Sequence, residues 1–221
     1  MYFSKITLKP TADRAKYAET VCANTYKEHQ ELWKLFNDDP DADRDFIYRY
    51  EPQNNIPAYY VVSNRKPNDQ TYLWDIQTKD YQPKLAIGEK YAFILRVNPV
   101  ISKKGRRHDV VMHKKYLMNY KKIDKLKRPT SQQIIEEAGR EWLQSRVESA
   151  GFSFDNESVR IDGYQAKTSG KKRGNKEIRY STMDYRGILS ITNPDAFSKV
   201  LMQGIGKARA FGCGLMLIRR L

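Results

Sequence analysis

The sequence is poor in cysteine and histidine. Cys22 and Cys213 are its only cysteines among 221 residues, which excludes a disulfide framework and a four-cysteine zinc site. We expect two buried free thiols, since the compartment inferred below gives no support to a disulfide. The three histidines are His29, His108 and His113. The last two lie five residues apart with no nearby cysteine or suitably spaced carboxylate, so they make a poor metal site.

Long apolar runs are also missing. No stretch approaches the ~20 apolar residues that a helix needs to cross a bilayer. The N-terminal MYFSKITLKP predicts a strand and lacks the features of a signal peptide. We therefore expect a cytoplasmic protein that does not bind membranes.

The acidic stretch 38–45 has no ordered ligand spacing, and neither a GxxxxGK[ST] loop nor a GxSxG elbow is present. We predict no metal and no cofactor.

Positive charge is abundant and clustered. Forty Lys and Arg residues against 26 Asp and Glu give a net charge of +14, which concentrates polyanions near a protein surface. Eleven of the basic residues lie within 103–128, beside two acidic ones. Nucleic acid is the first candidate partner. A membrane surface is second, because no amphipathic anchor helix is evident, and clustering disfavours a protein that is basic only for solubility.

Two basic segments are the predicted binding surface. The first, 103–128, carries paired Lys and Arg with interleaved tyrosines, and we expect His108 and His113 there to contact RNA or lie on the surface. The second, KTSGKKRGNKEIR at 167–179, forms the tip of a predicted hairpin, which can reach a groove near a helix end or loop. The residues expected to bind RNA are Lys103, Lys104, Arg106, Arg107, Lys171, Lys172, Arg173, Lys176 and Lys207. The residues alone do not separate RNA from DNA.

The order of predicted elements repeats once. Strand, helix, strand, strand, helix and strand occur twice, with the join near Gly88, although the second helix of the first half has weak support. This pattern predicts an α+β protein of two tandem ferredoxin-like (βαββαβ) domains, residues 1–88 and 89–221. The predicted strands are 2–9, 46–50, 58–62, 77–85, 91–100, 159–166, 178–191 and 215–220, and the predicted helices are 11–36, 130–150 and 195–202.

His29 is the candidate for chemistry. Cys22, Tyr26, His29, Trp33 and Phe36 share one stripe of the first predicted helix. A hydrogen-bonded, partly buried histidine is one interpretation. The other is proton transfer, because an imidazole with an ordinary pKa of ~6.5 can assist a ribose 2′-hydroxyl that attacks its own 3′-phosphate. Tyr26 would then orient the nucleophile or donate to the phosphate. The glycine-rich segment 204–214 would cradle RNA, pack against this helix, or form a structural turn.

Six motifs in order carry a family resemblance. They are MYFSKITL, Y-x-x-H-x-x-L-W-x-L-F (26–36), D-A-D-R-D-F (41–46), F-x-L-R-x-N-P (93–99), KKGRR (103–107) and G-I-G-K-A-x-x-F-G-C-G-L (204–215). Over essentially its whole length the chain resembles the CRISPR repeat-processing endoribonucleases of the type I-E Cascade complex, the CasE family. The resemblance implies two ferredoxin-like domains and cleavage of precursor CRISPR RNA at the 3′ base of the repeat stem-loop.

The resemblance also implies roles for individual residues. His29 would be catalytic with Tyr26 as its partner, and Lys171, Lys172 and Arg173 would engage the RNA stem. The product would stay bound, as a Cascade subunit beside the subunit that coats the guide. The third catalytic group stays open between Lys34 and Lys207. The alternatives are a non-catalytic RNA-hairpin-binding subunit and a basic DNA-binding or ribosome-associated protein.

Overall fold

The computed structural model describes residues 1–9, 17, 25–36, 45–54, 56–173 and 176–221, without the side chains of 170–173 and 176. The predicted helix start at Thr11, Cys22 and most of the acidic stretch 38–45 lie outside the described residues.

The first sheet has four antiparallel strands. They are β1 (Tyr2–Leu8), β2 (Phe46–Tyr50), β3 (Ala58–Ser63) and β4 (Trp74–Asp80), in the spatial order β2-β3-β1-β4. This is the strand order of a ferredoxin-like domain. Helix α1 (Thr25–Trp33), extended by a 3₁₀ turn at Lys34–Phe36, packs its apolar face on the sheet.

The connection between β3 and β4 differs from the predicted repeat. Residues 64–73 form a loop rather than a second helix. The Arg65 guanidinium donates to both Asp45 carboxylate oxygens at 2.9 and 3.0 Å and to the Phe36 carbonyl at 2.8 Å. Asp69 accepts from the backbone N–H of Trp74 at 2.7 Å. These contacts satisfy polar groups that a helix would otherwise pair. The fourth strand accordingly begins at Trp74, earlier than predicted.

The second sheet is a fuller version of the same topology. Its strands are β5 (Lys90–Val97), β8 (Phe152–Phe154), β9 (Arg160–Arg173), β10 (Lys176–Ile191) and β11 (Met216–Arg220), and a separate hairpin consists of β6 (Val100–Lys103) and β7 (Arg106–Asp109). The order in the sheet is β11-β5-β10, with β8 and β9 both paired along the other edge of β10. The helices are α2 (Val110–Leu117), α3 (Ser131–Gln144), α4 (Val147–Ala150) and α5 (Pro194–Gln203).

The helix ends of this second half follow the sequence signals. Thr130 and Gln133 form the predicted capping box at the start of α3. Gly151, in the left-handed conformation at φ +71°, ends α4. The Asn193 side chain accepts from the Ala196 N–H, with Pro194 at the first position of α5. The predicted 130–150 helix is therefore confirmed, with a break after Gln144.

Strands β9 and β10 continue beyond the sheet as a two-stranded arm. Met183–Ser190 of β10 pair with β5, whereas Lys176–Thr182 are registered against β9. At ~3.3 Å per residue, this part of the arm is roughly 20 Å long. The predicted hairpin is confirmed and is longer than the alternation of its residues suggested, because both strands of the arm are polar.

The two sheets pack together. Leu215 from the C-terminal half forms one buried cluster with Ile47 and Val62 of the first sheet. A salt bridge also crosses, from the Arg49 guanidinium to Asp184 at 3.5 Å. The tandem ferredoxin-like fold is confirmed, while the domain boundary at Gly88 stays a prediction. No helix within the described ranges is long and apolar enough to cross a membrane.

Candidate active site and nucleic-acid interface

His29 lies half-buried on α1 among aromatic rings. Its imidazole is nearly parallel to the Tyr48 ring, at a centroid distance of 6.3 Å and an angle of 13°. Phe46 and Trp33 are 5.6 and 6.0 Å away. Rings on several sides limit the orientations that an imidazole can adopt. The ring is held in place without being sealed in the interior.

The glycine-rich loop (Gly204–Gly214) packs against the Tyr48 ring that lies parallel to His29. The Tyr48 hydroxyl donates to the Ala210 carbonyl at 3.2 Å. Gly212 has a φ of +73°, and a Cβ placed there would lie 3.3 Å from Tyr48 Cε2, so the close approach favours glycine. Helix α1 contacts the 209–211 turn of the loop. Of the uses predicted for this segment, packing against the first helix is confirmed.

Helix α1 also contacts the base of the arm. The Tyr180 hydroxyl on β10 donates to Thr25 Oγ1 at 3.2 Å. The Tyr180 ring stacks on Phe211 of the glycine-rich loop, with centroids 5.1 Å apart. Burial raises the pKa of Tyr180 to about 12, so it is a neutral donor at ordinary pH. The catalytic candidate helix, the arm and the loop thus meet at one place.

A cleft of about 640 Å³ opens beside this meeting point. Four basic side chains line it: Arg107, Lys167, Arg179 and Lys207. Tyr164, Tyr180 and Phe211 add aromatic surface. Tyr26 and His29 do not line this cleft; they lie on the helix that borders it. Cationic and aromatic groups along one groove suit a nucleic-acid strand, because phosphates pair with the former and bases stack on the latter.

Asp109 organises the floor of the cleft. Its carboxylate caps α2 by accepting from the Met112 N–H at 2.9 Å, and it accepts from the Tyr164 hydroxyl at 2.9 Å and from the Ser181 hydroxyl. Burial, with help from Asp109, raises the pKa of Tyr164. These bonds hold the β6–β7 hairpin and α2 against the arm. Asp109 therefore has a structural role, although it is an acidic residue in a basic cleft.

The first basic segment folds as a hairpin followed by a helix. Lys103, Lys104, Arg106 and Arg107 are exposed on the β6–β7 hairpin, whose tip residues Lys104 and Gly105 have φ of +48° and +73°. Arg107 is the one of these four that lines the cleft. His108 and His113 lie 5.5 Å apart. Burial, Lys103 and His108 lower the pKa of His113.

The remaining predicted residues fall in different places. Lys207 is exposed on the cleft wall, bridged through its backbone to Asn98. Lys34 is exposed and ion-paired with Glu31 at 2.6 Å. The backbones of Lys171, Lys172, Arg173 and Lys176 lie in β9 and β10 near the end of the arm, and their side chains are outside the description. Within the described residues, no three His, Cys, Asp or Glu side chains are grouped to hold a metal ion.

The burial of Glu28 was not predicted from the sequence. This side chain on α1 is 5% exposed, although acids on a polar helix face usually point to water. Burial raises its pKa to about 7, and the positive charges of Lys167 and Arg96 act in the opposite direction. Both cations come from the second sheet, so their approach depends on the packing of the two halves. Cys213 is the predicted buried thiol, 0% exposed, and burial raises its pKa to about 12.

Comparisons with known proteins match the whole chain. A family model described as "CRISPR associated protein" matches residues 1–220. The CRISPR system Cascade subunit CasE of Escherichia coli is 28% identical over 98% of both chains. The CRISPR-associated endoribonuclease Cse3 of Thermus thermophilus is 25% identical over 99% of both.

A solved structure supports the fold. The CRISPR endoribonuclease Cse3 bound to 19 nt RNA superposes with a TM-score of 0.74 at 22% identity, covering 99% of this chain and 100% of that one. At that identity the likeness concerns the arrangement of the elements. It agrees with the two ferredoxin-like sheets described above.

Proposed function

Because the chain belongs to the CRISPR-associated protein family, we propose that it is a metal-independent endoribonuclease that binds the stem-loop of CRISPR repeat RNA. One observation carries the proposal: a half-buried imidazole, His29, lies on the helix that borders the basic cleft. Curated relatives are named as a Cascade subunit and as an endoribonuclease. The division of labour follows domains 1–88 and 89–221, the first carrying the catalytic helix.

RNA binding is assigned mainly to the second domain. The exposed cations Arg107, Arg179 and Lys207 give the cleft its charge, and such groups hold phosphates with a strength that falls with salt. The arm carries Lys171, Lys172, Arg173 and Lys176 toward the stem. Lys103, Lys104 and Arg106 extend the surface from the neighbouring hairpin. A stem-loop fits because its end and loop are accessible where a continuous A-form groove is not.

Cleavage is assigned to His29 and Tyr26. The ribose 2′-oxygen forms a bond to the adjacent phosphorus, the bond from phosphorus to the 5′-oxygen breaks, and a 2′,3′-cyclic phosphate and a 5′-hydroxyl result. The 2′-hydroxyl loses a proton and the departing oxygen gains one. His29 performs one of these transfers, while Tyr26 orients the 2′-hydroxyl or donates to the phosphate. A lysine at the cleft stabilises the negative charge that develops on the non-bridging phosphate oxygens.

Cleavage is proposed to occur at the 3′ base of the stem, and the product hairpin is proposed to stay bound afterwards. The E. coli relative is named as a Cascade subunit, and this chain would occupy the same kind of complex, next to the subunit that coats the guide. Lys207 is the better-placed candidate for a third catalytic group, because it lies on the cleft wall whereas Lys34 is ion-paired with Glu31.

The test is cleavage of a labelled repeat RNA by purified protein in excess chelator. We expect one cut at the 3′ base of the stem, with a cyclic phosphate on the upstream fragment and a 5′-hydroxyl on the other. RNA that is bound and recovered intact would instead assign a non-catalytic hairpin-binding role. Equal affinity for the matching DNA hairpin at fixed salt would favour a general basic nucleic-acid-binding protein.

A further inference from the structure

The base of the arm is fixed to the glycine-rich loop beneath the cleft. The Ser181 carbonyl on β10 accepts from the Asn98 side-chain amide at 2.8 Å, and the Ser181 hydroxyl donates to Asp109. Asn98 also pairs through its backbone with Lys207 of the loop. Asn98 and Ser181 are both buried, so these hydrogen bonds lie in a medium where they are stronger than in water. The arm base and the loop therefore form one packed unit.

Tyr180 connects this unit to helix α1. Its ring stacks on Phe211 of the loop, with centroids 5.1 Å apart and an angle of 23° between the ring planes. Its hydroxyl donates to Thr25 Oγ1, on the first residue of α1, at 3.2 Å. Because the stack limits the directions in which the ring can turn, the hydroxyl is held toward the helix.

The contact lies in the turn of α1 that carries the proposed catalytic side chains. Thr25 and His29 are four residues apart, so their side chains are neighbours on one face of the helix. Tyr26 follows Thr25 directly. A hydrogen bond is directional, so this one restrains where the first turn lies along the arm. Proton transfer is sensitive to such placement, and a displacement of about 1 Å can cost about 10²-fold in rate.

We propose that Tyr180 is a positioning residue, whose hydroxyl holds the first turn of α1 against the base of the arm and thereby places Tyr26 and His29 for cleavage. The inference rests on the proposed function and deepens it, because a residue of the second domain then acts on the chemistry of the first. Tyr180 also lines the cleft, so a hydroxyl that bonds the RNA directly is the competing role. Thr25 does not line the cleft, and it separates the two roles.

The experiment measures single-turnover cleavage at saturating repeat RNA, together with hairpin affinity, in conservative variants. Tyr180→Phe keeps the ring and its stack and removes the hydroxyl, whereas Thr25→Val removes the acceptor and nearly keeps its shape. Each should lower the saturating rate about three- to tenfold, the usual weight of one hydrogen bond, and leave affinity within about twofold. Thr25→Ser, which keeps the hydroxyl, should retain the wild-type rate.

The double variant tests whether the two hydroxyls act as one link. Tyr180→Phe combined with Thr25→Val should be about as slow as the slower single variant, because one hydrogen bond can be lost only once. Losses that multiply would mean that the two side chains act independently, and would overturn the proposal.

A second tyrosine provides the control for stability. Tyr91 is a buried residue of β5 whose hydroxyl donates to Glu89 at 2.8 Å, and it does not line the cleft. Tyr91→Phe should lower the melting temperature, as Tyr180→Phe does, and leave the saturating rate unchanged. A rate that only followed stability would fall in both variants, which would contradict a positioning role.

The remaining outcomes assign a failure to one proposal or to both. If the wild type cleaves and only Tyr180→Phe is slow, while Thr25→Val keeps the full rate, the hydroxyl acts on the RNA and the positioning role is wrong. Full rates in both single variants would also overturn it. In each of these cases the endoribonuclease stands. If the wild type leaves the RNA intact, both proposals fail together.

Discussion

The two halves of the molecule share a strand order and differ in what they add to it. The first sheet surrounds a half-buried imidazole with aromatic rings and replaces its second helix with the 64–73 loop. The second sheet keeps both helices and extends β9 and β10 into an arm bordered by a basic cleft. The proposed function assigns catalysis to one copy of this topology and most of the RNA affinity to the other, so mutations should separate them.

The largest expected effect comes from removing the imidazole. His29→Ala should slow single-turnover cleavage by ~10²–10⁴-fold, the usual contribution of a general acid or base. Affinity for the repeat hairpin should stay within about twofold, because the cations of the second half remain. Cleavage assays and binding titrations on the same preparation measure both. If His29→Ala keeps full activity, His29 has no part in the mechanism. The assignment of catalysis to the first half would then be wrong.

Removing cleft charge should give the reverse pattern. Arg107→Gln with Arg179→Gln should weaken hairpin binding about tenfold and reduce the slope of log affinity against log salt by about 2, because each contact releases counterions. Cleavage at saturating RNA should change little. Lys84→Gln, which removes an exposed cation that is not among the cleft lining, serves as the control. A fall in the saturating rate equal to the fall in affinity would show that Arg107 and Arg179 also take part in the chemistry.

The smallest expected effect tests the contact between the halves. Gly212→Ala should destabilise the fold by about 1 kcal/mol more than Gly105→Ala. Both glycines have a φ of +73°, but a Cβ meets Tyr48 at 3.3 Å in the first and open space in the second. Thermal unfolding measures the difference, and the Tyr48 contact with His29 predicts slower cleavage for Gly212→Ala alone. Equal destabilisation of the two variants would mean that backbone strain, and not contact with the Tyr48 ring, causes the loss of stability.

Most of the fold could be predicted from the sequence because the residues that mark the ends of its elements act locally. Thr130, Gly151 and Asn193 mark helix ends by their own side chains or backbone freedom, and the structure uses all three as caps. In the first sheet β1 alternates clearly enough to be predicted, whereas β4 begins three residues before the predicted position. The 64–73 connection could not be predicted in this way, since Arg65 stabilises it through contacts with Phe36 and Asp45, which lie far away in the sequence.

The candidate site was predicted only in part. His29 and Tyr26 stood out as a pair on a helix stripe, and their roles stay predictions. The β6–β7 hairpin was hidden because four exposed cations leave no apolar alternation to indicate strands. The burial of Glu28 could not be predicted, because α1 packs on β9, which lies more than 100 residues later in the sequence. A one-dimensional pattern cannot show which polar side chains two packed sheets will enclose.

The length of the arm sets the proposed recognition surface apart from the packed interior. Its end lies roughly 20 Å past the sheet, beyond the buried residues that determine whether the chain folds. Substitutions at that end should therefore alter RNA preference without disturbing the rings around His29. The choice of RNA and the proposed cleavage chemistry can thus change independently of each other.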